Sequence, residues 1–431
     1  MKIGAFSRYF SVSQQTIRFY INKGLLCPIV KNDRYDFTDT DVEDMKLLLR
    51  LKSFRFSLND IHRLLSLKRL SDFDDPHELD DYVHALSEQK RNLLAEKNKI
   101  NGIIGVLQNE INTASGKHPK NLSHKNGIPL TFLEYLACPT CGGALSLREC
   151  SIEDKQILFG KFDCQCGFSA SVKNGILIGP SGKISQYDWP DLERNCYRFM
   201  NPTLVSYMQK SYHWIIDKLH SCMKDGSLVL EDFINNYCFC HANLEDMNPN
   251  ARYIITDKYP EIVAIYKGLI DRLGLDRQIL YIAASSDMLP LKKGCVDVYI
   301  DFDSANEYAL YNKGYSLDAT GKYLKSDSYA VGAFFSFMPG SSSIKELHKQ
   351  FPEAWDKCYD KRYFKKWLLS TWREIISEEA IGNVIDDEID EKAILYHIPG
   401  TVEMDVYFAH GFNGFYDKSV FFNASVMGHR H

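Results

Sequence analysis

Ser13-Gln14-Gln15-Thr16-Ile17-Arg18-Phe19-Tyr20 decides how the N-terminal end of this 431-residue chain is read. Ser13 ends a turn, Ser11-Val12-Ser13, and can cap a helix that begins at Gln14, runs towards Lys23 and stops at Gly24. Ile3–Phe10, ahead of the turn, predicts a first short helix. The pair makes a helix-turn-helix whose second member can enter a major groove, with Gln14, Gln15, Thr16 and Arg18 as its polar face. Downstream, Lys31-Asn32-Asp33-Arg34-Tyr35 sets an Asn-Asp turn between short extended runs, the pattern of a hairpin wing. Thr38 with Asp41, and Ser57 with Asp60, read as capping boxes that open two further helices.

The charge distribution agrees with a phosphate-binding head. Residues 1–70 carry 13 Lys and Arg against 7 Asp and Glu, a surplus of six, so residues 71–431 hold −11 within the net −5. Composition is that of a globular chain, 45% hydrophobic and 25% charged, and its length suits about three domains. MKIGAFSRYF lacks the layout of a signal peptide, and no run of about 18 apolar residues is long enough to span a membrane. A cytosolic protein without membrane association is expected. In that reducing compartment the twelve cysteines pose a question of metal or packing, because disulfides do not persist there.

Lys2-Ile3-Gly4, Thr16-Ile17-Arg18-Phe19-Tyr20, Gly24-Leu25-Leu26, Arg34-Tyr35 and Phe56-Ser57-Leu58-Asn59-Asp60-Ile61 resemble the winged-helix DNA-binding domain of MerR-family regulators. The resemblance covers residues 1 to about 70. It implies that Arg18 and Tyr20 meet DNA backbone and base edges, and that Arg34 and Tyr35 grip phosphate. It implies promoter DNA and RNA polymerase as partners. It departs from the family at Arg55, where glycine is usual, and at the aromatic pair Tyr9-Phe10.

Leu79, Leu86, Leu93, Ile100 and Leu107 recur every seven residues, with Val83, Ile104 and Ile111 four residues after three of them. This is a heptad seam, weakened by Lys90 and Lys97 and by Gly102 and Gly105. Packing of the helix on its own chain also needs an apolar face. The MerR resemblance favours an antiparallel homodimer, whose two-fold symmetry suits a palindromic operator.

Cys138-Pro139-Thr140-Cys141 and, after 22 intervening residues, Cys164-Gln165-Cys166 can close a tetrahedral zinc site as the two halves of a zinc ribbon. The second pair is Cys-x-Cys where Cys-x-x-Cys is usual, so Cys150 or a histidine is an alternative ligand. Cys238-Phe239-Cys240-His241 has ligand-like residues but no second pair at suitable spacing.

From Ser227 onward, apolar runs alternate with helical stretches, as in a parallel sheet wrapped by helices. Leu228–Leu230, Tyr253–Thr256, Ile279–Ala283 and Val296–Ile300 are the first strands, and Tyr329–Phe337, Ile394–Ile398 and Val402–Ala409 the last three of seven. Glu231 ends the first strand, Asp257 closes the second where a carboxylate can meet ribose hydroxyls, and Asp287 follows the third, near an adenine amine. With Leu289-Pro290-Leu291, Gly294 and Val296-Asp297-Val298, this region resembles class I methyltransferases over roughly 185–425, which implies S-adenosylmethionine as cofactor. The glycine-rich loop expected after Glu231 is missing. Asp232-Phe-Ile-Asn-Asn-Tyr-Cys-Phe-Cys-His241 contains no glycine, and Phe233, Tyr237 and Phe239 are expected to fill part of the cleft.

The whole reads as a multidomain chain: winged helix-turn-helix at 1–75, dimerisation helix at 76–113, linker at 114–130, β zinc ribbon at 131–184 and α/β Rossmann-like methyltransferase fold at 185–431. The expected function is a one-component regulator that senses a small-molecule effector through a degenerate methyltransferase-like domain. The alternative is an active methyltransferase carrying a DNA-binding domain.

Overall fold

The computed structural model describes residues 1–71, 76–116, 127–182, 185, 187–194, 200–386 and 400–413. The chain divides into two compact units, Met1–His118 and Pro119–His431.

In the first unit, α1 (Ile3–Phe10) and α2 (Gln14–Asn22) flank the turn, and the Ser13 side chain accepts the N–H of Thr16 as an N-cap. Strands β1 (Ile29–Lys31) and β2 (Arg34–Asp36) form the wing. Asn32 and Asp33 take φ values of 50° and 57°, the two left-handed residues of a tight hairpin turn. Thr38 and Asp41 make the full capping box of α3 (Asp39–Ser53), and Ser57 Oγ accepts the N–H of Asp60 at 3.2 Å to open α4 (Leu58–Ser71). Phe6, Ile17, Tyr20, Leu25, Met45, Leu48, Ile61 and Leu64 converge in one core. The long helix α5 (Pro76–Gly116) spans 41 residues and extends into the expected linker; the rest of that linker up to residue 126 lies outside the described residues.

Leu86 packs on this core, while Leu79, Val83, Leu94, Ile100, Ile103, Ile104, Val106, Leu107 and Ile111 are exposed along α5. So many exposed aliphatic side chains on one helix mark a surface that wants a partner. Arg55, the departure from the family pattern, has φ 62° and places both Nη1 contacts on the Glu96 carboxylate at 3.1 Å, tying the α3–α4 turn to α5.

The second unit is built on one sheet. Its strands are β3 (Ile128–Pro129), β4 (Ser146–Glu153), β5 (Gln156–Asp163), β6 (Ser169–Lys173), β7 (Ile176–Ile178), β8 (Leu228–Asp232), β9 (Arg252–Asp257), β10 (Gln278–Ala283), β11 (Val296–Phe302), β12 (Leu324–Phe337), β13 (Trp372–Asp386) and β14 (Gly400–Phe412). In the order β10-β9-β8-β11-β12 they pair in parallel, then β14 and β13 close the edge antiparallel. This is the seven-stranded sheet the methyltransferase resemblance implies, with one difference. The strand between β12 and β14 in sequence is Trp372–Asp386; Ile394–Ile398 lies outside the described residues.

The helices are α6 (Pro202–Cys222), α7 (Phe239–Asn243), α8 (Pro260–Asp271), α9 (Ser304–Ala309), α10 (Leu317–Thr320), α11 (Ser342–Gln350) and α12 (Lys361–Thr371). The strands of the segment that holds the clustered cysteines are continuous with this sheet. β7 pairs in parallel with β10, then β6 and β5 follow antiparallel, and Phe162, Val172 and Leu177 share the core of Ile254 and Tyr281.

Candidate functional sites

On α2, the second helix of the helix-turn-helix, Gln14, Gln15 and Arg18 are exposed, as is Arg34 in the wing. Thr16 is half-buried, its hydroxyl 2.8 Å from Ser13 Oγ. Tyr35 is half-buried and packs on the core. Tyr20 is a core residue, 2% exposed, whose hydroxyl accepts from Lys52 Nζ at 3.1 Å. Phe19, not foreseen, is 43% exposed beside Arg18, one turn from Gln15 on the same face.

The sulfur atoms of Cys138, Cys141, Cys164 and Cys166 lie within 4.8 Å of one another. Cys138 and Cys166 are 3.4 Å apart, Cys141 and Cys164 3.5 Å. Four thiolates about a tetrahedral ion at 2.3 Å stand roughly 3.8 Å apart, so the cluster has the spacing a metal needs. Gly143 N–H points at Cys141 Sγ at 3.4 Å. Burial raises the Cys138 thiol, but hydrogen bonds from the Cys141 backbone and the Cys166 thiol outweigh it and bring it down to about 6. The Cys-x-Cys half therefore supplies both of its sulfurs, and Cys150 lies outside the group. Cys238 and Cys240 are buried, and Cys238 Sγ donates to Glu231 Oε2 at 3.6 Å.

The third site lies at the carboxyl ends of β8, β9 and β10, where open α/β sheets bind ligands. Every residue from Glu231 to Cys240 is buried. Glu231 accepts the N–H groups of Phe239 and of Cys240, the latter at 2.8 Å, and so caps α7. Its carboxylate is consumed by the fold. Phe233 stands two residues after Glu231 with φ 61°, a left-handed backbone that favours glycine, and its ring meets Tyr308 edge-to-face at 5.4 Å. Tyr237 and Phe239 lie deeper, against Phe302 at 6.1 and 5.9 Å. Arg194 donates to the carbonyls of Asn235 and Asn236 at 2.7 and 3.2 Å, and Asn235 Oδ1 accepts the N–H of Asp191. The preceding segment thus pins the loop.

Asp257 is buried; one oxygen accepts the N–H of Tyr259 at 2.9 Å, and burial pushes its carboxyl up to about 7. Asp287 is exposed. Of Glu231, Asp257 and Asp287, only Asp287 lines the cavity that remains, together with Phe233, Lys258, Ser285, Ser286, Tyr308 and Asn312. That cavity holds about 140 Å³, below the roughly 300 Å³ at which pockets for drug-sized ligands begin. Lys258, absent from the sequence-based site, forms a buried ion pair with Asp188 at 2.7 Å.

Residues 1–68 match the MerR HTH regulatory protein family, so the N-terminal unit carries a MerR-type helix-turn-helix domain. No curated protein matches the chain. Among solved structures, the MccD protein is 13% identical, covering 46% of this chain and 96% of its own, with a TM-score of 0.35. Geranyl diphosphate C-methyltransferase from Streptomyces coelicolor A3(2), solved with Mg²⁺, geranyl-S-thiolodiphosphate and S-adenosyl-L-homocysteine, is 8% identical over 46% of this chain and 74% of its own, with a TM-score of 0.34. The CurJ carbon methyltransferase is 15% identical over 46% and 52%, with a TM-score of 0.32. No helix among the described residues is long and apolar enough to cross a membrane.

Proposed function

We propose that the chain is a cytoplasmic, one-component transcription regulator that binds a palindromic promoter as a homodimer, works on RNA polymerase there, and senses a small-molecule effector through its second unit. Gln14, Gln15, Thr16 and Arg18 read the major groove, with Phe19 beside them, while Arg34 and Tyr35 of the wing approach phosphate. The exposed aliphatic stripe of α5 forms the dimer seam. A ligand needs to bias two dimer geometries by only about 1–3 kcal/mol. Cys138, Cys141, Cys164 and Cys166 hold one zinc ion with no open position, in a structural role.

The observation that carries sensing over methyl transfer is the buried loop after β8. Its first glycine position is held by Phe233 in a left-handed backbone, and Glu231 is spent capping α7. S-adenosylmethionine would have to displace side chains already packed there. Operator retardation tests the DNA half of the reading. Arg18→Ala is expected to weaken binding by about 1–3 kcal/mol, roughly 5- to 150-fold, and wild type to show a steep salt dependence. Equal retardation by both proteins would sink it.

A further inference from the structure

The ammonium of Lys258 lies over three aromatic faces, 4.4 Å from the ring centre of Phe233, 4.8 Å from Tyr311 and 5.2 Å from Tyr259. All three fall within the roughly 6 Å range of cation–π attraction. The Asp188 carboxylate at 2.7 Å completes the enclosure, and Lys258 is 4% exposed. A compact, strongly hydrated ammonium is costly to bury. This one is supplied with a complete cage.

The surroundings hold more carboxyl groups than one lysine needs. Glu307 interacts electrostatically with Asp257, Lys258 and Asp188, and Asp303 with Glu307. One oxygen of Asp257, at the end of β9, one of Asp303, just after β11, and the hydroxyl of Tyr359 are buried without a hydrogen-bond partner among the described residues. Buried polar atoms are rarely left so. The 140 Å³ cavity adjoins Lys258 and offers Ser285, Ser286 and Asn312, with Asp287 at its exposed side.

We propose that this cage is a binding site for a small organic ammonium, and that Lys258 is its tethered occupant, displaced when the ligand enters past Asp287. One positive charge replaces another, so the exchange leaves Asp188 paired. An alkylated ammonium, more weakly hydrated than a lysine head, gains the three ring faces at lower desolvation cost. The neighbouring hydroxyls and amide suit a short polar tail, which makes the ligand class an amino alcohol or its quaternary form. This assignment rests on reading the cleft as a sensor; the rings and Lys258 occupy it in place of a nucleoside cofactor.

The test is calorimetric titration of the full chain with tetramethylammonium and with choline. Wild type should bind choline weakly, because Lys258 competes, and Lys258→Ala should bind both cations at least tenfold more tightly. The same cations, but not sodium at equal ionic strength, should raise the melting temperature of Lys258→Ala. Since that variant removes the ammonium paired with Asp188, the double variant Lys258→Ala/Asp188→Asn serves as the folded control and should also bind tetramethylammonium more tightly than wild type. Adding Phe233→Leu to Lys258→Ala should cost at least fivefold. Variants that bind no more tightly than wild type, or an affinity indifferent to Phe233, would overturn the assignment. These heats involve neither DNA nor methyl transfer. Failure of the cage therefore stays distinct from failure of the regulator reading, which operator retardation and S-adenosylmethionine titration decide.

Discussion

Replacing Phe233 by glycine and by alanine separates two opposing effects at the loop after β8. The ring is buried, meets Tyr308 edge-to-face and lies 4.4 Å from the Lys258 ammonium. Truncating a buried phenylalanine to alanine costs about 3–5 kcal/mol. The φ of 61° acts in the other direction, because a left-handed conformation costs an L-residue roughly 1–2 kcal/mol that glycine does not incur. Glycine loses about 0.5–1 kcal/mol through its more flexible unfolded chain. The two backbone terms leave Phe233→Gly more stable than Phe233→Ala by roughly 0.5–1 kcal/mol, the reverse of the usual order, while both fall about 2–5 kcal/mol below wild type. Urea unfolding followed by tryptophan fluorescence reads this directly, since all five tryptophans lie in the second unit. An alanine variant as stable as the glycine variant would refute the strained-backbone argument.

Elemental analysis should find about one zinc per chain; Cys138→Ser with Cys141→Ser should abolish it and lower the melting of the second unit, because β7 pairs with β10, while leaving the first unit's transition in place. Zinc retained by that double variant would contradict the assignment. If α5 forms the proposed dimer seam, wild type should scatter as a dimer and Leu93→Asp with Ile100→Asp as monomers, since charges would be buried in the seam; a variant that still scatters as a dimer would contradict the seam. Burial raises Asp301 to about 6, Asp257 to about 7 and Glu307 to about 8. These groups hold protons when folded that they release when unfolded. Their contribution is full below about pH 4 and is lost as pH rises through 6 to 8, so the second unit should melt lower at pH 9 than at pH 6. A higher melting point at pH 9 would show the opposite linkage.

Local signals account for what was legible in the sequence. Ser13, Thr38 and Ser57 cap helices with their own side chains, and Asn32-Asp33 turns the wing, so the first unit follows from residues near one another. Tyr20 stands three residues from Ile17 on the buried stripe of α2, and its hydroxyl is met by Lys52, 32 residues away, a partner that no local signal marks. β13 carries Glu374, Glu378 and Glu379, which suit an edge strand exposed to water but hide the alternation of a strand. The three residues of β7 give no sign that their partner is β10, a hundred residues on. In the cleft, the missing glycines were visible. The cage was not, since Asp188, Phe233, Lys258 and Tyr311 come from four separate segments and meet only through the sheet order.

If the methyltransferase-like sheet serves the proposed regulator without transferring methyl groups, titrating S-adenosylmethionine into the full-length protein by calorimetry should give no binding heat. With Glu231 capping α7, Phe233 over Lys258 and only about 140 Å³ of space, the account predicts no saturable binding up to millimolar cofactor. Micromolar binding to the wild type, with the cofactor's ribose on Asp257, would contradict it and make the chain a DNA-bound methyltransferase.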